Sequence, residues 1–159
     1  MDDENSGAAA PTGPLDDREL RVWKALARSL VVIPRTLDGD LRQQSQMTLG
    51  DYQVLVMLSE APDRRSRMSD LASAVGLSAS RMTRLVDALR RRGWVGKERD
   101  GCDRRGAIAV LTDDGLTALE QAYPAHLASV RRHVMAALDG VDLEALAEAL
   151  ETMAGGPVP

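Results

Sequence analysis

Six residues at the start of one predicted helix carry side chains whose types and spacing suit binding chemistry. They are small, or they end in a hydroxyl or a guanidinium group: Ser78, Ala79, Ser80, Arg81, Thr83 and Arg84. Hydroxyls and guanidinia donate hydrogen bonds to phosphate oxygens and base edges, and small residues let a helix enter the roughly 12 Å wide major groove of DNA. The pattern therefore predicts a DNA-reading surface, with Arg81 and Arg84 contacting guanine edges or phosphates.

A second candidate surface lies between two strand-like runs, residues 94–99 and 107–111, which are joined by a polar segment flanked by glycines. This pattern predicts a β-hairpin. Three charged residues form its tip: Asp103, Arg104 and Arg105. A basic tip beside a reading helix favours insertion into the minor groove, because the potential there is strongly negative. We expect Arg104 or Arg105 to contact DNA and Asp103 to orient an arginine.

Two short amphipathic helices must position the first surface. Apolar residues recur at helical spacing in both: Met68, Leu71, Ala72 and Val75 in the first, and Met82, Leu85, Val86 and Leu89 in the second. Gly76 stands where a left-handed residue would end the first helix, and Ser78 can cap the second by accepting from the amides of its first turn. Together with the hairpin, this order predicts a winged helix-turn-helix.

Three arginines, residues 90–92, end the second of these helices. Positive charge at this end of a helix is favourable because it offsets the helix dipole, and the same charges can bind phosphate. The sequence leaves both interpretations open for this cluster.

Longer helical patterns flank the module. An apolar stripe runs over residues 15–38, and Pro34 within it predicts a bend or break just before it, because a mid-helix proline removes a hydrogen bond. Thr48 and Asp51 have the spacing of a capping box, which starts a helix that ends before Pro62.

Two further helices follow the hairpin. Thr112 caps a stripe that extends to Leu138 with an expected kink at Pro124, and Asp142 caps a last helix that ends near Met153. Terminal helices this apolar either fold back on the same chain or interlock with a second copy. We favour a two-fold dimer, because a symmetric DNA site needs two reading heads.

These patterns divide the chain into four segments. Residues 1–14 are acidic and rich in alanine, glycine and proline, which predicts a disordered tail. Residues 15–47 form an N-terminal dimerisation helix and connection, residues 48–112 the winged helix-turn-helix, and residues 113–154 the C-terminal dimerisation helices. The predicted fold class is mainly α (α+β), with long terminal helices forming a dimerisation region.

Charge is distributed unevenly along the chain, whose net charge is −4. Residues 60–106 contain twelve basic and seven acidic side chains and are therefore +5, whereas residues 113–154 contain two basic and eight acidic ones and are −6. The basic segment coincides with the predicted reading module, so it would face phosphate.

The composition excludes several other classes of protein. One cysteine, Cys102, allows no intramolecular disulfide and no cysteine-cluster metal site, and two histidines leave little material for catalysis. No nucleophile with a base, glycine-rich phosphate loop or metal cluster is recognisable, so we expect neither an enzyme nor a cofactor. Without an apolar run of ~20 residues or a basic leader, we expect a cytoplasmic protein without membrane contact.

The linked motifs resemble those of the MarR family of bacterial transcriptional regulators. The resemblance is carried by the run 77–89, by Gly93-Trp94-Val95, by residues 103–106 through Leu111-Thr112, and by an early glycine in the next helix, Gly115. It covers about residues 15–153. It implies a homodimer, held by the first and last helices, that binds a palindromic operator near its own or a neighbouring promoter, as a repressor released by a small aromatic or anionic compound.

The family's ligand site lies between the dimer helices and the reading head. This implies five candidate ligand-binding residues, each of which also fits an ordinary core or surface position: Trp23, Arg28, Tyr52, Met57 and His126.

His126 and His133 lie two turns apart, ~10 Å, so they cannot share a metal within one chain. Cys102 is in the wing rather than near the N-terminus, where hydroperoxide-sensing relatives place theirs, and its oxidation weakening DNA contacts is a separate hypothesis. The alternative to DNA binding is a winged-helix protein-interaction module.

Overall fold

The computed structural model describes residues 13–99 and 106–156, and these described residues divide between Val32 and Ile33 into two compact units. Its six helices in the described ranges are α1 Asp17–Ser45, α2 Leu49–Glu60, α3 Met68–Ala74, α4 Ala79–Arg91, α5 Asp113–His133 and α6 Leu143–Ala154. Short 3₁₀ turns span Pro62–Arg64 and Met135–Leu138, and the strands are β1 Arg65–Arg67, β2 Val95–Arg99 and β3 Ala107–Leu111. This order confirms the predicted winged helix-turn-helix.

The local signals that begin and end the central helices act as the sequence predicts. Thr48 caps α2 in a complete capping box, since its side chain accepts from Asp51 N–H while the Asp51 carboxylate accepts from Thr48 N–H. Gly76 adopts a left-handed φ of +67° after α3, and the Ser78 side chain accepts from Arg81 N–H to cap α4. Each of these signals depends on residues at most three positions apart.

Of the bend or break expected just before Pro34, the break is wrong, because α1 continues through the proline to Ser45. Proline removes one backbone hydrogen bond, but Leu37 and Leu41 continue the apolar stripe beyond it and are buried. Burial of each such side chain contributes about 1.5–3 kcal/mol, which offsets the proline's cost of ~3 kcal/mol. Tertiary packing therefore preserves the second half of α1.

The last turn of the long helix after the hairpin also differs from expectation. Helix α5 passes through Pro124 without a break but ends at His133, and Leu138 belongs to the following 3₁₀ turn. Gly140, with a φ of +75°, then redirects the chain before Asp142 caps α6.

The three strands form one antiparallel sheet in the order β1-β3-β2, with Ala109 opposite both Ser66 and Lys97. Strand β1 is absent from the sequence-based prediction, because its three polar residues lack the alternation of apolar and polar side chains that marks a strand. The core lies between this sheet and the helices of the reading module. Its fully buried side chains include Leu55, Leu58, Leu71, Met82, Val86 and Leu89. None of the described helices is long and apolar enough to cross a bilayer.

Candidate nucleic-acid interface and ligand cavity

The first half of α4 presents the predicted reading residues to solvent. All six are exposed: Ser78, Ala79, Ser80, Arg81, Thr83 and Arg84. On the opposite side of the helix, Met82 and Val86 are fully buried. Because the buried side fixes the rotation of the helix, the six exposed residues form one continuous surface, which is here called the reading face.

The arginines of α4 and its C-terminus have different partners. Among the described residues, Arg81 and Arg84 have no ion-pair partner, whereas Arg90 pairs with Asp87 at 3.4 Å. Arg92 donates to the carbonyl oxygen of Gln46 at 3.0 Å and lies 3.4 Å from the centroid of the Trp94 ring. Arg92 therefore ties the end of α4 to the end of α1, while the guanidinia of the reading face stay available to a ligand.

Two arginines of the basic segment, which lie just before α3, form ion pairs within the chain. Arg64 pairs with Asp113 at 2.9 Å, and Arg65 on β1 pairs with Glu98 on β2. All four side chains are at least 42% exposed, so these pairs are screened by water and each contributes at most about 1 kcal/mol.

The base of the β-hairpin is fixed to α5 through Thr112. Its hydroxyl donates to Gly93 O at 2.7 Å and accepts from Gly115 N–H at 3.0 Å, while its own N–H donates to Trp94 O at 3.1 Å. These bonds lock the hairpin beside the reading helix. The predicted tip residues Asp103, Arg104 and Arg105, and likewise Cys102, lie outside the described residues.

A cavity of about 720 Å³ opens beside the reading module, within the second compact unit. Parts of α1, α2, α3 and α5 line it with the residues Pro34, Leu37, Leu49, Tyr52, Gln53, Val56, Met57, Glu60, Ala74, Val75 and His126. Three of the five predicted ligand residues, Tyr52, Met57 and His126, thus lie together. The other two, Trp23 and Arg28, belong to the first unit, where both are exposed.

Two aromatic side chains, Tyr52 and His126, contribute polar atoms to the cavity beside those of Gln53 and Glu60. The ring centroids of Tyr52 and His126 lie 4.2 Å apart at an interplanar angle of 38°. Burial lowers the pKa of His126, and burial, followed by Tyr123 and Glu60, raises the pKa of Tyr52. Both rings are therefore uncharged at neutral pH. Nδ1 of His126 is buried and has no hydrogen-bond partner in the described part of the chain.

The second histidine has a different environment. The Asp40 carboxylate accepts from the buried Ser129 hydroxyl at 2.6 Å, and His133 Nε2 lies 3.1 Å from the same oxygen. The Ser129 hydrogen bond, followed by that of His133, lowers the pKa of Asp40. This cluster joins α1 to α5. Within residues 13–99 and 106–156, no group of three or more histidine, cysteine or acidic side chains could hold a metal ion.

Sequence reasoning missed most of the cavity wall, including Leu37, Gln53 and Val75. Leu37 and Val75 belong to apolar helix stripes, but periodicity does not distinguish a face that packs against a neighbour from one that borders a void, and Gln53 is an exposed polar residue with no such signal. Glu60 entered the sequence analysis only in the charge count of residues 60–106, and its place in the cavity wall was not predicted.

Comparison with known proteins gives consistent similarities. The sequence model of the MarR family matches residues 45–106. AbsC, a MarR family transcriptional regulator from Streptomyces coelicolor, is 38% identical with a TM-score of 0.80, over 91% of this chain and 97% of that one. Another MarR family regulator from Streptomyces coelicolor, solved in complex with DNA, is 33% identical with a TM-score of 0.82, over 92% of each chain. The transcriptional repressor YetL of Bacillus subtilis is 31% identical over 81 residues, which are 51% of this chain and only 48% of that protein.

Proposed function

This chain belongs to the MarR family, and we propose that it is a homodimeric transcriptional regulator that binds a palindromic DNA operator, as a repressor of its own or neighbouring genes. The observation that carries this proposal is the reading face. It combines exposed hydroxyl and small residues with two guanidinia, Arg81 and Arg84, that have no ion-pair partner among the described residues. A relative 33% identical to this chain has been solved in complex with DNA, which supports DNA binding by this chain.

In this proposal, α4 enters the major groove and the hairpin reaches the adjacent minor groove. The side chains from Ser78 to Arg84 contact base edges and phosphates, Arg104 or Arg105 enters the minor groove, and Asp103 orients an arginine. Two reading heads related by two-fold symmetry would contact half-sites about one helical turn, ~34 Å, apart.

Exposed apolar side chains on the terminal helices support the dimer. On α1, Trp23 and Leu30 are 55% and 66% exposed, and on α6, Leu150 and Met153 are 45% and 61% exposed. Large apolar side chains exposed in groups mark surfaces that a partner covers. A second copy of the chain would bury them and set the spacing of the two reading heads.

The cavity beside α2 supports a response to a small molecule. Its volume of about 720 Å³ falls in the range of ligand sites, ~300–1,000 Å³, and its lining is mostly apolar with a few polar groups. A ligand that binds more tightly to a conformer with misplaced reading heads would release the operator. Tyr52, Met57 and His126 are the proposed contacts, and Trp23 and Arg28 stay candidates from the family resemblance alone.

The test is binding of the purified protein to its own upstream DNA and to scrambled DNA, measured by fluorescence anisotropy over a salt series. We expect selective binding that weakens steeply with salt, because phosphate contacts release counterions. If Arg84 reads a base edge, Arg84→Ala should lower the preference for the correct base at one operator position about 5- to 150-fold. If Arg84 binds phosphate, the substitution should weaken binding to all sequences alike. Arg131→Ala is the matched control, since it removes the same charge from an exposed site on α5, outside the reading module.

Weak, unselective binding that is also unchanged by Arg84→Ala would contradict the proposal. That result would favour the alternative, a winged-helix module that uses α4 against a protein partner.

A further inference from the structure

The charge of the cavity lining restricts which ligands it can hold. Of the described residues that line the cavity, Glu60 is the one with a formal charge at neutral pH. The remaining polar side chains are Gln53 and the two rings of Tyr52 and His126, and burial lowers the pKa of His126 so that its imidazole is neutral. An anion that entered would lose hydration without gaining a cationic partner among the described lining residues. The carboxylate of Glu60, which is exposed and therefore partly screened by water, would add a weak repulsion.

The negative charge at Glu60 acts on groups inside the cavity. Its carboxylate is one cause that raises the pKa of Tyr52, after burial and Tyr123. Tyr52 is only 7% exposed, so the field reaches a side chain of the cavity wall and not only the surface. A carboxylate bound near Tyr52 would experience the same repulsion.

His126 supplies a directional polar group for an uncharged ligand. Its Nδ1 is the one buried side-chain polar atom without a hydrogen-bond partner among the described residues. A neutral imidazole carries one proton, and leaving a bare acceptor buried is less costly than leaving an N–H donor unpaired. The proton is therefore assigned to Nε2, and in the proposal below this N–H is the donor that His126 offers within the cavity that it lines.

We propose that this cavity selects uncharged aromatic compounds that carry a carbonyl group, and that it discriminates against carboxylates of the same shape. The ligand's ring packs against the Tyr52–His126 pair and the apolar wall that includes Leu37 and Val56, and its carbonyl oxygen accepts from His126 Nε2–H. This inference rests on the proposed effector role of the cavity. Of the aromatic or anionic ligands expected from the sequence, it keeps the uncharged aromatic compounds and excludes the anions.

The experiment uses three probes of nearly the same shape: β-acetylnaphthalene, β-ethylnaphthalene and β-naphthoate. Binding to the full-length protein without DNA is measured by isothermal titration calorimetry. We expect the ketone to bind about tenfold more tightly than the carboxylate and roughly three- to tenfold more tightly than the hydrocarbon, as one additional hydrogen bond allows. Equal or tighter binding of β-naphthoate would overturn the inference, and so would the absence of binding by all three probes up to their solubility limits.

Substitutions then locate the selectivity. His126→Phe keeps the ring beside Tyr52 but removes the donor, so the advantage of the ketone over the hydrocarbon should disappear. Glu60→Gln should raise the affinity for β-naphthoate several-fold, while Glu120→Gln, an exposed site on α5 outside the lining, makes the same change of charge and should not. An unchanged ketone advantage in His126→Phe, with circular dichroism matching the parent, would contradict the role of His126.

Operator release is measured separately with the same probes. If the ketone binds selectively but leaves operator affinity unchanged, the selectivity stands and the effector role in the proposed function fails. If β-naphthoate binds better and releases the operator, the effector role stands and the inferred selectivity fails.

Discussion

Gly115 lies where the base of the β-hairpin meets the start of α5, and adding one methyl group there should displace both. A Cβ at this position would lie 2.1 Å from Trp94 O and 2.8 Å from Leu111 Cδ1, and real Cβ contacts essentially never fall below 3.0 Å. Trp94 O is backbone and already accepts from Thr112 N–H at 3.1 Å, so it cannot turn aside as a long side chain could. Gly115→Ala must therefore shift α5 or the hairpin.

Two opposing effects set the size of the change. Replacing glycine by alanine inside a helix contributes ~1 kcal/mol of stability through helix propensity. Overpacking a buried site costs typically ~1–3 kcal/mol, and the cost belongs at or above the upper end here because the closest obstacle is backbone. The net loss is therefore about 2 kcal/mol or more, which corresponds to a fall in Tm of roughly 4–8 °C for a chain of this size.

Thermal unfolding followed by circular dichroism measures this effect, with Gly39→Ala as the matched control. Gly39 lies in α1, is exposed, and a Cβ there would meet no atom within 4 Å. Gly39→Ala should raise Tm by about 2–4 °C through helix propensity alone. If Gly115→Ala raised Tm in parallel with the control, the steric argument for the hairpin base would be wrong.

Three further predictions concern other contacts. Thr112→Ala removes the hydroxyl that joins Gly93 O to Gly115 N–H and should lower stability by about 1–2 kcal/mol in urea unfolding; an unchanged midpoint would show that this cap contributes nothing. Because burial lowers the folded-state pKa of His126, the unfolded chain binds more protons there as pH falls below about 6.5, so stability is lost towards low pH. His126→Phe should therefore reduce the fall in Tm between pH 7.5 and pH 5, relative to the parent. Leu150→Lys should shift the sedimentation coefficient from dimer towards monomer and weaken operator binding together, whereas an unchanged coefficient would argue against α6 in the dimer interface.

Prediction from the sequence succeeds where the signal is local. The capping box at Thr48, the left-handed Gly76 and the Ser78 cap each depend on a few neighbouring residues, and all three occur as expected. The buried stripe of α4 likewise follows from residue spacing, because the helical repeat fixes which side chains share a face. These features were enough to identify the winged helix-turn-helix and the exposed reading face.

Prediction fails where a distant contact decides the outcome. Pro34 does not end α1, because Leu37 and Leu41 are held in the core. Strand β1 forms because β3 offers it a partner, which three polar residues cannot reveal by themselves. Arg92, for which the sequence left helix-end compensation and phosphate binding open, donates to Gln46 O just after α1, a contact that no local pattern predicts.

The sequence by itself therefore determined the order of the helices and the hairpin and the side chains that face solvent on α4, because caps, turns and hydrophobic periodicity act over a few residues. Its linked motifs, by their resemblance to known proteins, also indicated the family. Only the tertiary structure decided which arginines are already paired, why α5 needs a glycine at its start, and which residues enclose the cavity. Each of these depends on groups that are far apart in the chain and brought together by packing, so no local pattern encodes them.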